Sequence, residues 1–127
     1  QQNLAFWAGI RGCRGRELRQ AVEEAAVQAN VTAFLGKPVG RCSGGMARRA
    51  NLAAGLIGNP RLVLLDEPTA GIDEENRDLI LGTIGSLRDK GCMVLLVNHY
   101  YNELAAVCDR IITLKDGRIA EEGANAF

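Results

Sequence analysis

The chain carries no net charge, no paired-cysteine spacing and no long hydrophobic run. Fifteen Lys and Arg balance fifteen Asp and Glu. That balance leaves no basic stripe of the kind that marks a nucleic-acid binder. The four cysteines, Cys13, Cys42, Cys92 and Cys108, form no CxxC pattern. With no secretory signal they read as reduced thiols, mostly core fillers. The only histidine, His99, stands apart from any cysteine pair, which argues against a zinc site. The apolar runs fall far short of the ~20 residues that span a bilayer. The opening Gln1-Gln2-Asn3 has neither a basic n-region nor a Met, which suggests a processed or excised piece. No repeat or low-complexity segment occurs.

What is present suits one packed α/β domain. The 127 residues are 47% apolar, enough for a real core. Residues 4–10 read as the end of a helix. Residues 14–30 read as an amphipathic helix, with Leu18, Val22, Ala25, Ala26 and Ala29 on one face. Gly36-Lys37-Pro38 is a turn. A helix opens at Ser43-Gly44-Gly45 and stops at Gly58-Asn59-Pro60. An apolar run over 62–66 then ends in Asp66-Glu67-Pro68-Thr69, and its continuous hydrophobicity predicts a buried parallel strand. A helix over 74–90, a second apolar strand over 93–97 and a short helix over 102–108 follow. A hairpin, 110–114 with 118–120, turns at Asp116-Gly117.

The chemistry concentrates at two places. Ligands of open α/β sheets bind at the carboxyl ends of the strands. There Asp66 and Glu67 can place one carboxylate on a metal ion and the other on a water. Taken alone, Glu67 could equally be a capping or surface carboxylate, and His99 a structural residue after a strand. The other place is Ser43-Gly44-Gly45. The first N–H groups of a helix lack internal partners and favour an anion. Glycines would let a phosphate approach, and Ser43 adds a hydroxyl; the plainer reading is an N-cap. Asp73, before the 74–90 helix, reads as a cap as well.

Read together, the order is diagnostic. Ser43-Gly44-Gly45, an apolar strand into Asp66-Glu67, Ala70-Gly71-Ile72-Asp73, a second apolar strand and His99 resemble the second half of an ATP-binding cassette (ABC) ATPase domain. Cys108-Asp109-Arg110-Ile111 and Asp116-Gly117-Arg118-Ile119 resemble the tail of that family. The resemblance runs from about residue 3 to 123. It implies a partial P-loop NTPase (ABC ATPase) fold: a helical signature subdomain over 1–59, then part of the RecA-like, mostly parallel sheet over 60–127. It implies a signature motif at Ser43, Gly44 and Gly45, a Walker B strand at 62–67, a D-loop at 70–73 and a switch histidine at His99. On that basis Asp66 holds Mg²⁺ through water and Glu67 orients or deprotonates the attacking water. His99 contacts the γ-phosphate, and Asp73 lies in a loop that crosses to a second copy. Ser43, Gly44 and Gly45 cover ATP bound by a second nucleotide-binding domain. Cys42, Met46 and Asn98 depart from the usual Leu, Gln and Thr, and all three are expected to be tolerated.

One family element is missing. No G-x-x-x-x-G-K-[ST] occurs, and the only Gly-Lys pair, Gly36-Lys37, runs into Pro38. The resemblance therefore implies the C-terminal part of a nucleotide-binding domain. In the family the phosphate-loop strand lies between the strands matching 93–97 and 110–114, so its loss would leave two open edges. Open apolar edges invite pairing with another chain, and the isolated chain is expected to self-associate or to close its sheet differently. It is also expected to hydrolyse no ATP alone. In a full-length parent the implied partners are a second nucleotide-binding domain and a membrane permease. Its implied place is cytoplasmic, peripheral at the inner face of the membrane, with no nucleic-acid partner. A non-catalytic truncated module that docks on other nucleotide-binding domains is the alternative. A DNA-maintenance ATPase ranks lower, because no coiled-coil or zinc insert separates Gly45 from Asp66.

Overall fold

A computed structural model of the chain describes residues 1–124, so the last three residues of the 60–127 segment lie outside the described residues. The elements in order are α1 (Gln2–Ile10), α2 (Gly15–Gln28), 3₁₀ turns at Thr32–Phe34 and Val39–Arg41, α3 (Gly44–Leu56), β1 (Leu62–Asp66), α4 (Glu74–Asp89), β2 (Met93–Val97), α5 (Tyr101–Val107), β3 (Arg110–Lys115) and β4 (Arg118–Ala124). The two 3₁₀ turns flank the turn read at 36–38.

The helical half packs through small residues. Ala8, Ala25, Ala26, Ala29 and Ala53 are all buried where α1, α2 and α3 meet. Short side chains let helix axes approach towards the lower end of the usual 8–10 Å. Leu4, Val22, Leu52 and Leu56 fill the seams between them. α4 closes the layer with Ile80, Ile84 and Leu87, spaced three to four residues apart as an inward face requires. Thr83, buried on the same helix, donates its hydroxyl to the Gln28 carbonyl, which ties α4 to the end of α2.

The end of α4 sets up β2. Gly91 takes a left-handed φ of +82°. Its N–H donates to the Arg88 carbonyl, and the Cys92 N–H donates to the Leu87 carbonyl. This double closure satisfies orphan carbonyls and turns the chain sharply. β2 then runs parallel to β1, pairing Leu62 with Met93 through Asp66 with Val97. Beyond each end the ladder continues, Met93 N–H to Arg61 O and Glu67 N–H to Val97 O.

Two expectations are corrected here. The apolar strands were expected to be buried on both faces. Instead Leu62, Leu64, Met93, Leu95 and Val97 are exposed, while Val63, Leu65, Val94 and Leu96 face the core. Among the described residues the sheet has two strands, and helices cover one side of it. The hairpin is also longer than the sequence suggested, with β4 reaching Ala124. It turns on Asp116 and Gly117, both at positive φ, as a tight antiparallel connection demands. β3–β4 forms its own sheet, separate from β1–β2, so the gap expected beside β2 is open.

Ile84 is almost fully buried and Leu64 is not. Ile84→Ala should cost about 2–5 kcal/mol of stability in a urea titration, and Leu64→Ala no more than about 0.5 kcal/mol. Equal costs would mean that the two faces of the chain are not so divided.

Candidate active site

β1 delivers Asp66 and Glu67 to the edge of the parallel pair. Glu67 has φ +46°, a left-handed conformation uncommon for any residue but glycine. Such a residue costs of order 1–3 kcal/mol and persists only where its surroundings fix it. Here the Glu67 N–H donates to Val97 O at 2.8 Å, and its carbonyl accepts the Ala70 N–H at 3.2 Å. Pro68 and Thr69 are buried behind it. The turn carries the Glu67 carboxylate to His99, whose Nε2 lies 2.5 Å from Oε1. His99 follows β2 by two residues, so the strand pairing itself makes this contact. The side chains are 76% and 40% exposed, leaving the pair open to an incoming water or phosphate. An imidazole beside a carboxylate can hold or pass one proton.

Asp66 is exposed at the same strand end and borders a groove of about 440 Å³ with Trp7, Arg48 and Pro68. Among the described residues no three His, Cys, Asp or Glu side chains gather as a metal cage. A single open carboxylate suits Mg²⁺, which keeps most of its waters and takes one or two carboxylates beside substrate phosphates.

Ser43 caps α3, its hydroxyl oxygen accepting the Met46 N–H at 3.2 Å. The two glycines that follow differ. Gly44 is exposed and faces open space, where an anion could approach. Gly45 is buried, and a Cβ there would fall inside the side chain of Asn76. Its smallness is therefore required by packing as well as by any ligand. Asn76 in turn binds Asp73. Its amide donates to both carboxylate oxygens at 2.9 and 2.7 Å, and its backbone N–H donates to one at 3.0 Å. Asp73 thus caps α4, and the start of α3 is fastened to it through Asn76. The Asn76 backbone N–H, and after it the Asn76 amide, hold the Asp73 pKa below its ordinary 3.8. Its stabilising contribution is therefore present above pH 3.8 and is lost as pH falls through the lower folded value.

The sequence-predicted residues thus form two groups. Asp66, Glu67 and His99 meet at the strand ends. Ser43, Gly44, Gly45 and Asp73 meet at the starts of α3 and α4. Among the described residues no hydrogen bond or ion pair joins the groups.

Sequence reasoning missed a polar cluster behind His99. Asn98 donates to Thr69 Oγ1 at 3.2 Å and to Glu103 Oε2 at 2.7 Å. Thr69 donates to the same Glu103 oxygen at 2.5 Å, and Arg77 lies 3.4 Å from the other. No short spacing marks these four residues, and the only signal was Asn98 in place of the usual Thr. Asn76 was missed for the same reason.

Gly45→Ala should cost about 1–3 kcal/mol through overpacking, and Gly44→Ala far less. Adding Asn76→Ser should recover part of the Gly45→Ala loss. Chemical denaturation checks all three, and equal tolerance at Gly44 and Gly45 would refute the packing account.

Known proteins share this sequence pattern and fold. The family model described as ABC transporter matches residues 1–70. The linearmycin resistance ATP-binding protein LnrL of Bacillus subtilis is 34% identical over 122 residues, covering 96% of this chain and 39% of that protein. The Nod factor export ATP-binding protein I of Sinorhizobium fredii is 37% identical, covering 97% and 36%. Among solved structures, cbiO1 from Clostridium perfringens, part of the ABC transporter complex cbiONQ, superposes with a TM-score of 0.83 at 25% identity, over 96% of this chain and 49% of that one. The ATP-binding cassette MJ0796, in a dimeric post-hydrolysis state bound to ADP and Pi, gives 0.76 at 29% identity, over 90% and 50%. The chain spans two fifths or less of these two curated relatives and about half of the solved cassettes. It belongs to the family of ABC transporter ATP-binding domains.

Proposed function

We propose that this chain is the C-terminal part of the ATP-hydrolysing subunit of an ABC transporter. The observation that carries the reading is the Glu67–His99 contact at the carboxyl ends of a parallel strand pair. Glu67 accepts the proton of the attacking water, and His99 holds the far side of the pair near the γ-phosphate. Asp66 would hold Mg²⁺ through water. The ion, when bound, supplies charge neutralisation on the phosphates. Ser43, Gly44 and Gly45, with Asp73, form a group separate from this pair. They serve ATP held by a second nucleotide-binding domain, where a helix start adds charge stabilisation.

The segments 1–59 and 60–127 are then a signature subdomain and part of a RecA-like core. Coupling to a permease would place the subunit at the inner face of a membrane. Among the described residues no helix is long and apolar enough to cross one. The isolated chain, with no phosphate loop, turns over no ATP. The second reading is a non-catalytic docking module. It is favoured by the exposed apolar rows Leu62, Leu64, Met93, Leu95 and Val97, beside an unpaired strand edge.

In the full-length protein, Glu67→Gln should slow ATP turnover by about 10²-fold or more and leave Mg-ATP binding intact. Unchanged turnover would remove Glu67 as the base. The isolated chain should self-associate at micromolar concentration in sedimentation analysis, and Leu64→Lys with Leu95→Lys should shift it to monomer. A monomeric unsubstituted chain would count against association through that face.

A further inference from the structure

We propose that Asn98 is a positioning residue that sets His99 against Glu67 by spending all of its hydrogen-bonding capacity on a half-buried clamp. The proposal rests on the hydrolytic reading of the Glu67–His99 pair.

An asparagine amide has two N–H protons and one oxygen with two lone pairs. Here every one is committed. Nδ2 donates to Thr69 Oγ1 and Glu103 Oε2. Oδ1 accepts the His99 N–H at 2.7 Å and the Tyr100 N–H at 3.2 Å. The amide orientation is therefore fixed. Flipped, it would set its oxygen against a carboxylate and its NH₂ against two N–H donors.

The clamp joins the elements that carry the site. Thr69 lies two residues after Glu67, and His99 follows Asn98 directly. Glu103 lies on α5 and Arg77 on α4. The Glu103 side chain is only 11% exposed, and Thr69 is buried. A charge-assisted hydrogen bond away from water is stronger than a neutral exposed one. Arg77 balances the carboxylate from its other side. By contrast His99 is largely exposed, and its ring is not held by packing. What fixes the ring is its backbone, and Asn98 Oδ1 holds that backbone on the His99 and Tyr100 N–H groups. One rigid group thus ties the chain after Glu67 to the chain at His99. A threonine at 98 has one hydroxyl, which cannot reach two acceptors while holding two backbone donors.

The test reads His99 directly. It is the only histidine, so isotope labelling of histidine gives one imidazole signal set in NMR. Glu67→Gln should shift the Nε2 resonance, which reports the contact. Asn98→Asp sets a carboxylate against Glu103 and should shift it in the same direction. Combining Asn98→Asp with Glu103→Gln exchanges donor for acceptor and should return the resonance to its starting position. A resonance unmoved by Asn98→Asp in a chain still folded by circular dichroism overturns the proposal. So does a shift that the paired exchange fails to reverse. If Asn98→Asp does not fold, Asn98→Thr should shift the resonance likewise, and an unmoved resonance in that folded variant overturns the proposal. In the full-length protein, Asn98→Asp should lower kcat about 10- to 100-fold, leave KM for ATP near its starting value and be rescued by Glu103→Gln. A rise in KM at constant kcat would overturn it. The hydrolytic reading fails separately: if Glu67→Gln leaves turnover unchanged while the NMR pattern holds, the clamp stands and the ATPase role falls.

Discussion

The register of β1 against β2 is the constraint on which the site depends. Asp66 opposite Val97 places Glu67 level with the turn that leads to His99. Side chains alternate along a strand, so a slip by one residue would turn Val63 and Leu65 out of the core and set Leu64 in it. Burial on one face therefore decides how Glu67 and His99 are aligned on the edge. The left-handed Glu67 is tolerable because that same ladder ends on its N–H. Strain at the carboxylate is held by apolar packing one strand-length away.

The helical half works by different means. Its alanine contacts give close helix axes but little area per residue, so α1 to α3 depend on one another and on Ile80, Ile84 and Leu87 of α4. This dependence links the two halves of the chain. α3 is gripped from the side by α4 and at its start by Asn76. The loop that would face a neighbour's nucleotide is thus mechanically continuous with the helix that follows the chain's own Asp-Glu pair. Gly44 stays open while Gly45 is closed by Asn76, so only one side of the turn is accessible.

Much of this was legible in the sequence. The continuous apolar runs marked both strands to the residue, and Asp-Gly marked the hairpin turn. Ser43 and Asp73 were readable as caps because capping needs only local neighbours. The resemblance implied that Glu67 and His99 serve one site, but their direct contact appears only in the structure. Two features were not legible. Whether a strand is covered on one face or two depends on how many layers surround it, and Leu64 and Leu95 look the same in either case. The clamp of Asn98, Thr69, Glu103 and Arg77 draws on four elements, and no local pattern encodes a group satisfied from four directions.

The separation of the two sheets has a consequence for cooperativity. Every residue of β4 and most of β3 is exposed, and Arg88 anchors only the segment that leads into the hairpin, holding the Val107 carbonyl and lying beside Asp109. Units with few buried contacts open at low free energy without unfolding the remainder. The chain is therefore two folding units of unequal strength. Among the described residues the core runs from Leu4 to Val107 and takes no residue from the hairpin, which is therefore expected to open first. Amide protons would record this as a sharp step in exchange rate between Val107 and Arg110, with Glu67 and His99 on the slow side of it.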